Sequence, residues 1–525
     1  MSFPTVDQIC DRIWQQDVSL WTDDPDGQEK IAKRLGWLDS VQWSLDNLED
    51  MMLRINKVKE LMQIDNVILL GMGGSSLAPL VFSKFKNSEP GDAKLWVLDS
   101  TAPEAILGLS DIDLNSSLFL VSSKSGTTIE TMDLYEYFLG RMSKMMDSPQ
   151  ERFVAITDAD SELDVHASES GFADVFRNPS NIGGRYSALS YFGLVPAALI
   201  GIDVRSVLNN ALEFSNSCRT TEQSNPGLKL GVLMGKAWQS GKSKLCLKLD
   251  SPLQCLGLWV EQLVAESTGK QGKGILPVLG NRIIESVEDE DCIDIYVATN
   301  PLVGEQEQQW CVPHVEELGA EFFRWEFATA VAAVYMQVNP FDEPNVAEAK
   351  SSTREFISTR RLLSPDSVYS AQSFSMSGTL TQVENLRHGF DLFSQSLQAE
   401  DYIAVLAYLP ETDSLIHLLE EFCWDLHVLT QRIVTLGLGP RYLHSTGQLH
   451  KGGPDNGHFV QLIQGTYERL PIPNRDYGFS DLIRAQADGD YDVLKNKSRP
   501  IIRIEMTNDP VISLQEICAQ ISEQS

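Results

Sequence analysis

The sequence contains no CxxC pair, although it has eight cysteines: Cys10, Cys218, Cys246, Cys255, Cys292, Cys311, Cys423 and Cys518. That excludes a zinc ribbon and a thioredoxin-type site. Several of these cysteines sit in apolar runs, where cysteine is usually a small core residue. No apolar stretch is long enough to span a bilayer, and Met1 to Leu20 lacks the basic segment and apolar core of a secretory leader. A reducing cytoplasm is therefore the expected compartment. Positive charge is scarce: 42 Lys and Arg stand against 73 Asp and Glu, a formal net charge of −31. This balance argues against nucleic acid and anionic membrane as partners. It also means that an anionic substrate must be held by local groups against an unfavourable overall field. There is no long low-complexity tract and no short-period repeat.

What is present is ordinary for a globular enzyme: 42% hydrophobic and 22% charged residues. At 525 residues the chain exceeds one typical core, so two or three subdomains are expected. Residues 1–60 read as amphipathic helices, with a helical spacing over Ser40 to Lys59. Trp14, Trp21, Trp37 and Trp43 are expected to be packing anchors. Buried strands are expected at Asn66–Leu70, Lys94–Leu98, Leu118–Val121 and Phe153–Thr157, alternating with helices. Such a series gives a parallel sheet with helices on both faces, which binds ligands at the carboxyl ends of its strands.

Two turns lie at that edge. The first strand runs into Gly71-Met72-Gly73-Gly74-Ser75-Ser76, where glycine lets the backbone approach a ligand and serine supplies donors. Ser76 stands where a dinucleotide fingerprint would need its third glycine. The third strand runs into Ser123-Lys124-Ser125-Gly126-Thr127-Thr128, followed by a helix. A helix start offers free N–H groups and the positive end of a dipole, and the hydroxyls add donors. Lys124 adds charge, or serves as a lid or salt-bridge residue. Together the turns read as one anion site.

Further along, Gly183-Gly184-Arg185-Tyr186-Ser187 joins close backbone approach to a bidentate cation. A second α/β unit is expected from residue 227, with strands at Lys244–Lys248, Ile293–Thr299 and Phe322–Phe327. Leu253 to Glu266 reads as an apolar helix capped by Gly269. A carboxylate at the C-terminal end of a helix has its pKa raised by the dipole, which suits a general base. Ser351 to Ser375 reads as an exposed connection and Asp413 to Leu436 as one long helix. The run Arg441 to Pro454 packs two His, a Lys and three Gly together. It shows no clean metal-ligand set, so acid–base work is expected there.

Six of these segments together resemble the glucose-6-phosphate isomerase family, of the sugar-isomerase (SIS) fold. Gly71–Pro79 is similar to its GxGGSxLxP turn, Ser123–Thr131 to SKxxTTxET, Gly183–Ser187 to GGRYS and Glu266–Lys270 to ESxGK. Asn339–Lys350 resembles the NPFDQPGVExxK segment with the family's lysine, and His444–Gln448 the HSxGQ motif with its histidine. The histidine follows the lysine here, an order similar to the isomerase half of bifunctional transaldolase/glucose-6-phosphate isomerases. Glu343 stands where a glutamine is usual.

The resemblance implies an α/β fold: two SIS-type doubly wound parallel-sheet subdomains (61–226 and 227–350), flanking helices (1–60) and a mainly helical C-terminal region (351–525) carrying the histidine. It implies interconversion of glucose 6-phosphate and fructose 6-phosphate through a cis-enediolate. Glu266 would be the base, Arg185 the anion stabiliser, and His444 and Lys350 the ring-opening groups, with His450 an alternative to His444. Gly74, Ser75, Ser123, Lys124, Ser125, Thr127 and Thr128 would bind the phosphate. No metal and no redox cofactor is required. The family's histidine often comes from a neighbouring subunit, which implies a homodimer. The alternatives are a dual phosphoglucose/phosphomannose isomerase and a non-catalytic SIS sensor; the sensor would not need Glu266, Lys350 and His444 together.

Overall fold

The computed structural model describes all residues except 1–2, 88, 221–223, 287–290, 301–307, 364 and 523–525. Its first sheet holds β1 (Asn66–Gly71), β2 (Lys94–Leu98), β3 (Ser117–Ser122), β4 (Phe153–Asp158) and β5 (Asp174–Asn178). The order is β2-β1-β3-β4-β5 and every pair is parallel. β1 and β3 are buried along most of their length, as unbroken apolar runs require in a sheet covered on both faces. The strand order reverses between β1 and β3, where Gly71 pairs with Ser122. The two sequence turns leave the sheet at this switch point, the crevice where open α/β sheets bind ligands.

The second sheet is β6 (Lys244–Leu249), β7 (Leu276–Val278), β8 (Cys292–Ala298) and β9 (Gln309–Cys311), in the order β7-β6-β8-β9 and again parallel. The expected strand at Phe322–Phe327 is instead part of the helix Leu318–Met336, buried almost throughout. The alternation of Phe323, Trp325 and Phe327 with Arg324 and Glu326 imitates a strand, but these residues belong to a longer helix of small and aromatic residues. The N-terminal helices pack on the helices Tyr191–Leu199, Val204–Ser217 and Leu318–Met336. The helix expected over Ser40–Lys59 is broken at Asn47 into Ser40–Asp46 and Leu48–Leu61. Trp21 and Trp37 are buried, and Trp14 stacks on Phe323 and Phe327, as packing anchors do.

The C-terminal region departs most from expectation. It is rich in helix, but its helices flank a six-stranded sheet. The strands are β10 (Ser367–Ser370), β11 (Phe374–Gly378), β12 (Tyr402–Tyr408), β13 (Ile433–Leu438), β14 (Gly457–Gln464) and β15 (Ile501–Met506), in the order β10-β11-β15-β14-β12-β13. β11 is antiparallel to both its neighbours and the other pairs are parallel. The long helix expected over Asp413–Leu436 stops at Thr430, where Gln431 turns left-handed at φ 56°, and β13 follows. The expected exposed connection at Ser351–Ser375 holds the end of the helix Pro344–Thr359 and all of β10.

This third sheet is locked to its covering helix Phe479–Asn496 by Arg503, which is fully buried. Its guanidinium donates to Asp488 at 2.6 Å, to Gln461 at 2.7 Å and to the Ala487 carbonyl at 3.0 Å. Replacing it leaves a buried carboxylate short of a partner, which costs about 3–5 kcal/mol. Arg503→Met should lower the unfolding free energy by that amount in urea titration. A change under about 1 kcal/mol would show that Arg484, the other cation on Asp488, suffices.

Candidate active site

At the switch point the first turn is held against Gly183-Gly184-Arg185. A Cβ on Gly74 would fall 2.1 Å from the Gly184 carbonyl oxygen, so only glycine permits this approach. Gly73 adopts φ +54° and lies against Gln262 and His444. In the second turn Ser123 and Thr128 share a hydrogen bond at 3.2 Å, and Ser125 and Thr127 one at 2.8 Å. Thr128 is the N-cap of the helix Ile129–Met142, and its side chain makes no cap hydrogen bond. The N–H groups of that helix start are thus left without a side-chain cap. Ser122 of β3 donates to the Ser75 carbonyl at 3.1 Å, joining the two turns. Lys124 is not aimed into this anion site. Its ammonium is paired with Asp158 and donates to the Ser180 carbonyl at 3.0 Å.

Glu266 and Arg185 meet in the buried layer between the first two sheets. Glu266 lies in the last turn of the helix Gln254–Thr268, and its Oε1 is 3.3 Å from Arg185 Nη1. Burial pushes its carboxyl above the ordinary value, Arg185 opposes that rise, and Glu343 adds to it. The guanidinium is fixed on all sides. Nε donates to Ser267 at 2.9 Å, Nη2 to the Pro340 and Asp342 carbonyls at 2.8 Å, and Nη1 to Glu343 at 3.1 Å. Glu343, which stands in place of a glutamine, is therefore a second carboxylate on the same cation. Lys270 holds the same loop by donating to Asn339 and Asp342, and burial lowers its pKa to about 8. Gln448 ties the loop to the third region, accepting from the Asn345 N–H and donating to the Gly269 carbonyl.

His444 arrives from the third region. Its Nε2 is 3.0 Å from Glu130 Oε1. Burial raises the Glu130 carboxyl, but the charge and hydrogen bond of His444 outweigh this and hold it below the ordinary value. Glu130 is thus an acceptor, Nε2 carries the proton, and Nδ1 is the ring nitrogen left for a ligand. Gln486 also donates to Glu130 at 2.8 Å. Gln262 bridges the two halves of the site, donating to Glu266 at 3.1 Å and to the His444 carbonyl at 2.7 Å. Lys350 is exposed on the helix Pro344–Thr359 and lines a small open cleft with Thr127, Glu130, His444 and Gln486. Glu266 and Arg185 do not line this cleft; Gln262 lies between.

His450 is elsewhere. It is buried against Tyr402, Tyr442 and Phe459, neither ring nitrogen is bonded, and burial keeps it neutral. Glu130, Gln262 and Gln486 are site residues to which the sequence reading assigned no role. Glu130 is the eighth residue of the Ser123–Thr131 run, and Gln262 lies one turn before Glu266, on the same helix face. Gln486 carries no local signal at all. Among the described residues no group of three His, Cys, Asp or Glu is placed to hold a metal ion. No helix of the described residues is long and apolar enough to cross a membrane.

Two glycine and hydroxyl turns at the switch point, a buried carboxylate–guanidinium pair and a histidine–carboxylate pair are thus assembled in one α/β protein. Residues 37–275 match the family model described as Phosphoglucose isomerase. Over 228 residues the chain is 32% identical to the glucose-6-phosphate isomerase of Methanocaldococcus jannaschii, covering 43% of this chain and 56% of that one. Over 382 residues it is 25% identical to the probable glucose-6-phosphate isomerase of Methanococcus maripaludis, covering 62% and 85%. The fold is shared with a crystal structure of a glucose-6-phosphate isomerase from Chlamydia trachomatis, at TM-score 0.50 and 20% identity over 67% of this chain and 78% of that one. The chain thus spans little more than half the length of the Methanocaldococcus relative. The likeness to glucose-6-phosphate isomerases read from the motifs holds over the matched residues, which carry four of the six motifs. The Lys350 and His444 motifs lie beyond the family-model match.

Glu261, on the Glu266 helix, accepts from Ser445 at 3.1 Å, and burial pushes its pKa up to about 7 from 4.5. A carboxyl whose pKa is higher in the folded chain contributes its stability at low pH and loses it as pH rises from 4.5 to about 7. Glu261→Gln keeps an acceptor for Ser445 and has no charge. It should match the wild type in stability near pH 4.5 and exceed it at pH 8, by on the order of 1–3 kcal/mol. Denaturant titrations at the two pH values test this, and an equal difference at both would refute it.

Proposed function

We propose that this chain is an aldose–ketose isomerase acting on glucose 6-phosphate and fructose 6-phosphate. The observation that carries the reading is the Glu266–Arg185 pair. A buried carboxylate made more basic by its surroundings stands against a cation that can receive developing negative charge. The two turns at the β1/β3 switch point hold the phosphate through Ser75, Ser123, Ser125, Thr127, Thr128 and the uncapped helix start. His444 Nδ1, with Nε2 tethered to Glu130, moves the proton that opens the ring, and Lys350 stands beside it in the cleft. Glu266 takes the proton from C2 and returns it to C1, and the hydroxyl proton of O2 passes to O1 in the enediolate, so the reaction is balanced without any other reactant. Between the two transfers the enediolate oxygen carries the charge that Arg185 stabilises, a type of interaction often dominant in such catalysis.

The homodimer expected from the sequence rested on a shared histidine. His444 here reaches Glu266 through Gln262 of the same chain, which supports a site complete in one protomer.

Three measurements test these assignments. Purified protein should convert fructose 6-phosphate to glucose 6-phosphate in a coupled assay at a rate unchanged by EDTA. Glu266→Gln should retain binding of a phosphorylated sugar acid and lose about 10²–10⁴-fold in kcat, the usual contribution of a positioned acid–base group; near-normal kcat would place the base elsewhere. Mixing Glu266→Gln chains with His444→Ala chains should restore no activity, whereas recovery would mean that the histidine is supplied by a partner.

A further inference from the structure

Arg185 is shared by two carboxylates. Its Nη1 lies 3.1 Å from Glu343 and 3.3 Å from Glu266. The other donors of the guanidinium are committed, Nε to Ser267 and Nη2 to the Pro340 and Asp342 carbonyls. The two carboxylates sit in different settings: the side chain of Glu266 is 9% exposed and that of Glu343 is 44% exposed. Glu343 is the N-cap of the helix Pro344–Thr359, yet its side chain makes no cap hydrogen bond and accepts from Arg185 instead.

The charges that meet here do not cancel. The segment Gly183–Ser187 brings Arg185 and Tyr186, whose hydroxyl burial keeps protonated. The end of the Glu266 helix brings Lys270, charged at neutral pH with its pKa at about 8. The loop before the helix Pro344–Thr359 brings Glu343 and Asp342, and Asp342 pairs with Lys270 at 2.8 Å. From the helix Leu318–Met336 comes Glu326, which burial holds well above the ordinary carboxyl value and so uncharged. Two cations, Arg185 and Lys270, thus meet three ionised carboxylates, Glu266, Asp342 and Glu343. The charge of Glu343 also reaches Lys124, but that ammonium is paired with Asp158. One negative charge is left in excess, and Glu343 supplies it.

A further anion enters such a cluster at low cost only when Glu266 is protonated. The enediolate meets this condition automatically, because the proton that leaves C2 is the one that Glu266 takes. A sugar phosphate that already carries a carboxylate at C1 does not. It must draw a proton from solvent onto Glu266 or stand beside an uncompensated charge. A neutral sugar meets neither obstacle. We infer that Glu343 is a specificity residue, which biases the reacting end of the site toward a neutral sugar and its enediolate and against sugar phosphates already charged at C1. The inference rests on the isomerase reading above, in which C1 and C2 lie against Glu266 and Arg185.

The test is calorimetric binding of two probes to wild type, Glu343→Gln and Glu343→Ala. One probe is a hexonic acid 6-phosphate, with a carboxylate at C1, and the other is the matching hexitol 6-phosphate, neutral at that end. Glu343→Gln keeps an acceptor for Arg185 and removes the charge. It should bind the acid about 10-fold more tightly, the equivalent of one pKa unit of a charge interaction partly screened by water. Its affinity for the hexitol phosphate should be unchanged. Proton uptake on binding the acid, read from buffers of different ionisation enthalpy, should be smaller in the variant than in wild type. Glu343→Ala should shift both readouts in the same direction, and carries the comparison if the Gln variant fails to fold. Equal tightening of both probes would mean that Glu343 acts on the phosphate end, and would overturn the assignment. So would unchanged or weaker binding of the acid. A wild type that turns over no sugar phosphate would refute the isomerase reading, while the two probes would still decide the role of Glu343. Binding of neither probe to any of the three proteins would overturn both.

Discussion

The site depends on one ion pair between distant parts of the chain. Arg441 donates two hydrogen bonds to Asp99, which follows β2, at 2.7 and 2.9 Å, and a third to Glu411. Asp99 is almost fully buried and also receives the Ser76 hydroxyl of the first turn. The pair presses the start of the Arg441–Pro454 run onto the carboxyl edge of the first sheet. His444 lies three residues further on, and so falls beside Glu130. Removing one member of a buried pair is strongly destabilising because the other charge is left uncompensated. Here the loss would also free the histidine from the first sheet.

The same docking is repeated along the seam by other polar contacts. Gln486 accepts from Thr101 and donates to Glu130. Arg475 and Tyr477 donate to Asp133, on the helix that begins at the Ser123–Thr128 turn. These contacts are directional, so they set orientation as well as proximity, which apolar packing alone does less well. In the buried half of the site the balance is different. Two carboxylates, Glu266 and Glu343, share one guanidinium, and Glu343 is much the more exposed. Glu343 draws on the charge that would otherwise stabilise ionised Glu266, and so helps to keep that carboxyl basic.

In the first two sheets β1–β4, β6 and β8 were legible as apolar runs, a local pattern, whereas β5, β7 and β9, of five, three and three residues, were not. Parts of the third sheet were hidden, although β12 is an apolar run as continuous as β1. β13 follows the helix Asp413–Thr430 after only two residues, so its apolar positions merge with the helical stripe. β10 and β11 are short and partly polar at the sheet edge. Phe322–Phe327 failed in the opposite sense, because Phe323, Trp325 and Phe327 alternate with Arg324 and Glu326 as in a strand, although they belong to a helix. His444 and His450 share one run, and composition could not separate them. Burial did, placing one beside Glu130 and the other among three aromatic rings.

By itself the sequence determined the residue types of the candidate site and the turns that carry them. These follow from nearest-neighbour rules, since a glycine turn, a helix cap or a hydroxyl run is defined by residues adjacent in the chain. It also carried Glu266 at the end of an apolar helix. Only the tertiary structure decided that Lys124 is held by Asp158, that Glu343 shares Arg185, and that His444 approaches Glu266 through Gln262 of the same chain. Each of these is a pairing across tens to hundreds of residues. Charge and hydrogen-bond partners at such separations are chosen by how the three sheets pack, and no spacing along the chain encodes that choice.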